Sequence, residues 1–213
     1  MVNNSKAYQV AKYAITFATI FVAMMLDRVI SLGLPTATAA CVLLVTFSFS
    51  FLDNKWLTGV LSCMLFGLAS FIKEFIFPSA VAALPVYWWP VVTILPRVAM
   101  GAVAFGVYRL MQLLCRQMLN RYLRQTVCIT VATFFGLACN TVLFLSVLNL
   151  ANRLSGQEYQ SLVLVIKAVL VTNIIPEYLV SMILVPHVVL GVRRGLKLGV
   201  EPHAHSAVDQ NNA

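Results

Sequence analysis

The stretch that decides the fold is Val91–Leu114, VVTILPRVAMGAVAFGVYRLMQLL. A helix needs about 20 predominantly apolar residues to cross the hydrocarbon core of a bilayer, and this run is long enough. Arg97 stands near its head. A charge inside a span costs on the order of 3 kcal/mol on insertion scales, so such residues face a cavity or a polar partner. Tyr87, Trp88 and Trp89 come just before it, and later apolar runs hold Asn140, Asn173 and Glu177. Polar groups kept in so apolar a chain point to capture of a polar molecule within the membrane.

Working outward, the whole chain has the same character. Hydrophobic residues make up 61% of 213 positions and charged ones 10%, against roughly 25% charged in a soluble domain. The mean hydropathy is +0.89. The expected class is an all-α membrane protein, a bundle of six spans at roughly Tyr8–Ser31, Thr36–Leu52, Trp56–Ile72, Val91–Leu114, Gln125–Leu150 and Ser161–Leu190. Asp53-Asn54-Lys55 makes a tight hairpin of spans two and three. Lys73–Pro90 carries Pro78, Pro85 and Pro90, so it cannot be one regular helix and reads as a structured outer loop between spans three and four. Residues 1–200 form one integral membrane domain, and the tail Glu201–Ala213 is polar and reads as disordered. Ala37-Thr38-Ala39 has the look of a cleavage site, but Asp27 and Arg28 separate it from the first apolar run, so a retained first span is the expectation.

The net charge is +8, but the basic residues cluster at the ends of apolar runs rather than along an aromatic-interleaved stripe. That excludes nucleic-acid binding as a reading. With the N-terminus inside, the cytoplasmic segments carry Lys6, Lys12, Lys55, Arg109, Arg116, Arg121, Arg124, Arg193, Arg194 and Lys197, ten of fifteen basic residues. The positive-inside rule then places both termini in the cytoplasm, and Arg97 with the Tyr-Trp-Trp cluster at the outer face.

Each candidate residue carries two readings. Arg97 offers a planar fork suited to a carboxylate or phosphate, or braces the bundle against Glu74 or Glu177. Asn140 and Asn173 contact ligand or link helices. Tyr87-Trp88-Trp89 is an aromatic lid or an interfacial anchor. Lys73 lines the pocket or sits at the interface. Glu177, after Pro176, is a binding group or a charge partner. Ala7, Ala11, Ala14 and Ala18 share one helical face; small residues so spaced let another helix approach, from within the bundle or from a separate subunit. The five cysteines include no C-x-x-C pair and read as small buried side chains. No P-loop, H-E-x-x-H or G-x-S-x-G occurs, and His203 and His205 lie in the tail. The chain is therefore expected to be neither an ATPase nor another enzyme, and to hold no metal or cofactor.

Four stretches carry a resemblance: Gly67-Leu-Ala-Ser-Phe-Ile-Lys73; Ile94-Leu-Pro-Arg-Val-Ala-Met-Gly101; Gly136-Leu-Ala-Cys-Asn-Thr-Val-Leu143; and Thr172-Asn-Ile-Ile-Pro-Glu-Tyr178 running into Val185-Pro186. With Ala14-x-x-x-Ala18, their order and spacing resemble the substrate-binding S components of energy-coupling factor transporters for vitamins, from the first span to about Arg194. The resemblance implies six helices with a substrate pocket near the outer face, and a lipid-embedded subunit of a bacterial cell membrane. It also implies docking, through Ala11, Ala14 and Ala18, on a transmembrane coupling subunit with two ATPase subunits. Arg97 and Asn140 become the ligand contacts and Tyr87–Trp89 the gate. An anionic vitamin is favoured by Arg97, pantothenate first and folate second, with riboflavin and cobalamin-type ligands open. The alternatives are a membrane structural or assembly protein without ligand, and a stand-alone secondary transporter.

Overall fold

The computed structural model describes residues 6–30, 35–52, 55–78, 81, 84–117, 120–155 and 175–195. The described residues form six long helices and no strand: α1 (Lys6–Ile30), α2 (Pro35–Leu52), α3 (Trp56–Ile76), α4 (Trp89–Leu114), α5 (Arg121–Leu154) and α6 (Ile175–Gly195). Five of them contain stretches long and apolar enough to cross a membrane: Gln9–Leu26, Trp56–Ile76, Val86–Gln117, Tyr122–Leu154 and Glu177–Gly195. In α2 the side chains are described over Val42–Phe51, and that stretch is apolar.

Local chemistry sets the helix ends. The Asn120 side chain accepts from the backbone N–H groups of Tyr122 and Leu123 at 3.0 and 3.2 Å, which opens α5. At about 1.5 Å per residue α5 is roughly 50 Å long, well beyond the ~30 Å hydrocarbon core. Helix α3 runs on to Ile76 and takes in Lys73 and Glu74, which the sequence reading assigns to the loop. Pro90 likewise sits in the first turn of α4, where a missing N–H costs nothing. Between these helices Val86–Trp88 forms a 3-10 turn. Of the expected sixth span Ser161–Leu190, the described helix covers Ile175 onward, and Asn173 lies outside the described residues.

Buried hydroxyls are absorbed within their own helices. Thr46, Ser62 and Thr93 each donate to the carbonyl four residues earlier, at 2.8, 2.9 and 2.7 Å. The helices then close on one another at glycines. A Cβ on Gly67 would lie 3.0 Å from Ile94 Cα, one on Gly101 2.8 Å from Cys63 Cβ, and one on Gly136 2.8 Å from Ala104 Cβ. These contacts bring α3, α4 and α5 to backbone range with α4 in the middle, the small-residue packing that membrane helices use. The main core gathers Ile20, Phe47, Phe51, Met100, Phe105 and Tyr108 from α1, α2 and α4, with α3, α5 and α6 contributing around them. A second cluster of Val81, Leu84, Trp89, Val92, Leu148 and Ala151 closes the end of the bundle where α4 begins.

Candidate functional site

Arg97 hangs between the two clusters. Pro96 precedes it inside α4. Proline has no N–H, so the carbonyl of Val92, four residues back, lacks its usual helical donor. The Arg97 Nη1 donates to that carbonyl at 3.3 Å. This turns the side chain back along its own helix, the direction helical side chains favour. The guanidinium then lies 5.3 Å from the Phe66 ring centroid on α3 and 5.4 Å from that of Phe144 on α5. Both are within cation–π range.

Several polar atoms around this centre are unspent. Arg97 Nε, Ser70 Oγ and Asn140 Oδ1 are buried without a hydrogen-bond partner among the described residues. They belong to three adjacent helices. Ser70 lies one turn beyond Gly67, which abuts Ile94 and Arg97. Asn140 lies one turn before Phe144, whose ring meets the guanidinium, and one turn after Gly136. A buried polar atom without a partner costs about 1–3 kcal/mol. Several at one level of a bundle make a site whose hydrogen-bonding capacity a polar molecule can complete. The carboxylates whose charge acts on Arg97 are Glu74 and Glu177, on α3 and α6. The centre is thus a part-buried cation flanked by two aromatic faces, with carboxylates in range and, among the described residues, unfilled donors and acceptors.

The remaining expected residues divide. The aromatic trio is not one exposed surface. Trp89 is buried, and its indole N–H donates to the Leu84 carbonyl at 2.9 Å, so it is part of the framework. Trp88 is half-buried against the same cluster. Only Tyr87 is open, 70% exposed, with its ring 6.0 Å from Trp88. Lys73 sits in the last turn of α3 with a half-exposed side chain, and its backbone carbonyl takes the closing bond from Phe77. Glu177 lies in the first turn of α6, followed by Tyr178, whose hydroxyl meets Thr141 at 3.0 Å and ties α6 to α5. Ala7, Ala11, Ala14 and Ala18 are all exposed, so that face of α1 is not packed within the described bundle.

Three features escape the sequence reading. Phe66 and Phe144 are indistinguishable from core aromatics until Arg97 is seen between them. Pro96 gives a signal, but its meaning lies in a backbone atom. Arg193, counted among solvated cytoplasmic charges, is buried: it donates to the Phe51 carbonyl and to the Tyr108 hydroxyl. A separate cleft of about 240 Å³, lined by Gln112, Arg124, Gln125 and Cys128, lies at the far end of α4 from the Arg97 centre. No family model, no curated protein and no solved structure matches the chain.

Proposed function

We propose that this chain is the substrate-binding membrane subunit of an ATP-driven importer of a water-soluble vitamin, an S component of the energy-coupling factor type. The observation that carries the reading is the Arg97 centre: a part-buried guanidinium whose buried Nε, with the oxygens of Asn140 and Ser70 on the flanking helices, has no hydrogen-bond partner among the described residues. In this reading the bundle crosses a bacterial cell membrane six times with both termini in the cytoplasm. Ligand enters past Tyr87 and lies against Arg97, Asn140, Phe66 and Phe144, with Glu177 and Lys73 at the margin. The open Ala11, Ala14 and Ala18 face of α1 supports docking on a transmembrane coupling subunit, and two ATPase subunits supply the energy that a chain without a P-loop cannot. Pantothenate is the first vitamin to test and folate the second, because a guanidinium pairs a carboxylate at two points.

A second reading has its own observation. The two aromatic faces, Phe66 on α3 and Phe144 on α5, already employ Arg97 in holding these helices to α4, and the Nη1 bond to Val92 fixes it on its own helix. A membrane structural protein without ligand would need no more. Mass spectrometry of small molecules retained by the purified protein separates the two. A vitamin co-purifying in stoichiometric amount supports import; none retained, with no response to pantothenate or folate in calorimetry, supports the structural role. Co-purification of ATPase subunits distinguishes the importer from a stand-alone secondary transporter.

A further inference from the structure

We propose that Pro96 is the positioning residue of the Arg97 centre: by denying the Val92 carbonyl its helical donor, it supplies the acceptor that holds the guanidinium inside the bundle. The inference deepens the site reading above and rests on it for its binding arm only.

In an unbroken helix the N–H of residue 96 would occupy the Val92 carbonyl. Arg97 Nη1 would then have to share an oxygen already held by a backbone donor, using its second lone pair, and its long, flexible stem would be freer to choose other rotamers. With Pro96 in place the vacancy and the donor that fills it are neighbours in sequence, and the bond is observed at 3.3 Å. One Nη1 hydrogen is committed, while Nε stays buried and unspent. The guanidinium is planar, so fixing one end of it fixes the plane in which Nε points. Gly67 sets how closely α3 approaches here: a Cβ there would lie 3.0 Å from Ile94 Cα, while Arg97 Cβ would be at an ordinary contact distance of 3.5 Å.

The other mid-helix proline in the described residues follows the same rule with a different donor. Pro186 leaves the Met182 carbonyl of α6 open, and Thr130 Oγ1 on α5 lies 3.4 Å from it. Membrane helices tolerate proline where neighbouring side chains re-satisfy the freed carbonyl. At Pro186 the donor is a neutral hydroxyl from another helix, which joins two helices. At Pro96 it is a charged group from the same helix, which joins nothing. A same-helix bond adds little to bundle assembly. Its consequence is orientation.

The test is Pro96→Ala in the full chain in detergent, read by 15N spectroscopy of arginine side chains, with the Arg97 signals assigned by their loss in Arg97→Lys. The wild type should show hindered rotation of the Arg97 guanidinium. Pro96→Ala, with the Val92 carbonyl now taken by a backbone N–H, should show averaged Nη signals and a melting temperature unchanged or higher, since alanine is the better helix former. In calorimetry with pantothenate the affinity should drop about tenfold or more. Averaged signals in the wild type, or unchanged signals in Pro96→Ala, overturn the proposal. So does a Pro96→Ala protein that fails to fold, which would make the proline a packing residue. If pantothenate does not bind the wild type, the choice of vitamin falls, and the spectra still decide the role of Pro96. If it binds both proteins equally, the positioning role falls and the import reading stands.

Discussion

Arg193, near the end of α6, donates through Nη2 to the carbonyl of Phe51, near the end of α2. That carbonyl belongs to the last turn of its helix, where intrahelical donors run out. The same guanidinium reaches the Tyr108 hydroxyl on α4 at 3.3 Å, and Tyr108 is fully buried with its ring 5.2 Å from that of Phe51. One side chain thus joins α2, α4 and α6. Arg193→Ala should lower stability by about 1.5–3 kcal/mol, the range for hydrogen bonds to a charged group. Arg193→Lys should recover only part of this, because an ammonium lacks the fork that serves two acceptors. Thermal melts in detergent check both, and a silent Arg193→Ala would mean that the clasp contributes nothing.

The glycine contacts make a sharper prediction because each has its own rescue. Gly101→Ala places a Cβ 2.8 Å from that of Cys63, and Gly136→Ala places one 2.8 Å from that of Ala104. Neither neighbour is the mobile tip of a side chain, so each change should cost about 1–3 kcal/mol by overpacking. Cys63→Gly should restore the first and Ala104→Gly the second, with no cross-rescue. A Cβ on Gly191 would meet nothing within 4 Å among the described residues, and Gly191→Ala should be neutral or stabilising by up to about 1 kcal/mol. Melting curves of the four single variants, the two matched and two crossed double variants, and Gly191→Ala decide this.

What is legible from sequence here is whatever depends on a run of residues. Long apolar stretches report helices because composition over about 20 residues is a bulk property, and the described helices fall where those stretches lie. The boundaries slip where a polar residue is helical for reasons of packing: Glu74 reads as loop yet is buried in α3. Single residues are harder. Tyr87, Trp88 and Trp89 look alike in a string, and only the Leu84 carbonyl tells that Trp89 is framework. Arg193 reads as a solvated positive-inside charge because its partners are a backbone oxygen and a tyrosine far away in sequence. Arg97 is conspicuous for its charge, but the Val92 carbonyl that aims it carries no letter in the sequence.

Orientation is open to a direct measurement. Tyr87 stands just before α4 and Gln117 just after it, so a single helix crossing separates them. Both are exposed. The bias of basic residues puts Tyr87 outside. In a cysteine-free background, Tyr87→Cys should react with an impermeant maleimide applied to intact cells, and Gln117→Cys should react only after lysis. Asn120 is the poorer reporter, because its side chain caps α5. Labelling of Gln117→Cys from outside would invert the topology and move the Arg97 centre to the cytoplasmic half.

Asn140 and Arg97 should respond oppositely in stability and alike in binding. Asn140 Oδ1 is buried without a partner among the described residues, so the ligand-free protein bears the cost of its desolvation. Asn140→Leu, with the same branched outline but apolar, should raise stability by about 1–3 kcal/mol while weakening vitamin binding. Arg97→Ala removes the donor to Val92 and the cation between Phe66 and Phe144, and it leaves Glu74 and Glu177 without that countercharge. It should lower stability and also cost about 2–5 kcal/mol in affinity for an anionic vitamin, by the measure of buried charge pairs. That is roughly 30-fold or more, since 1.4 kcal/mol is tenfold. Stability alone cannot assign either residue, because bracing and binding both predict a weaker Arg97→Ala protein. The pair can: a site built for ligand has Asn140 stabilised by removal and both variants defective in binding. A structural centre has Asn140 neutral or destabilised by removal, and no ligand response to lose. Calorimetric titration of pantothenate and folate into the wild type, Asn140→Leu and Arg97→Ala, with melting curves alongside, gives both readouts. Wild-type affinity in a folded Arg97→Ala protein would take Arg97 out of the site and remove the reason for preferring an anion.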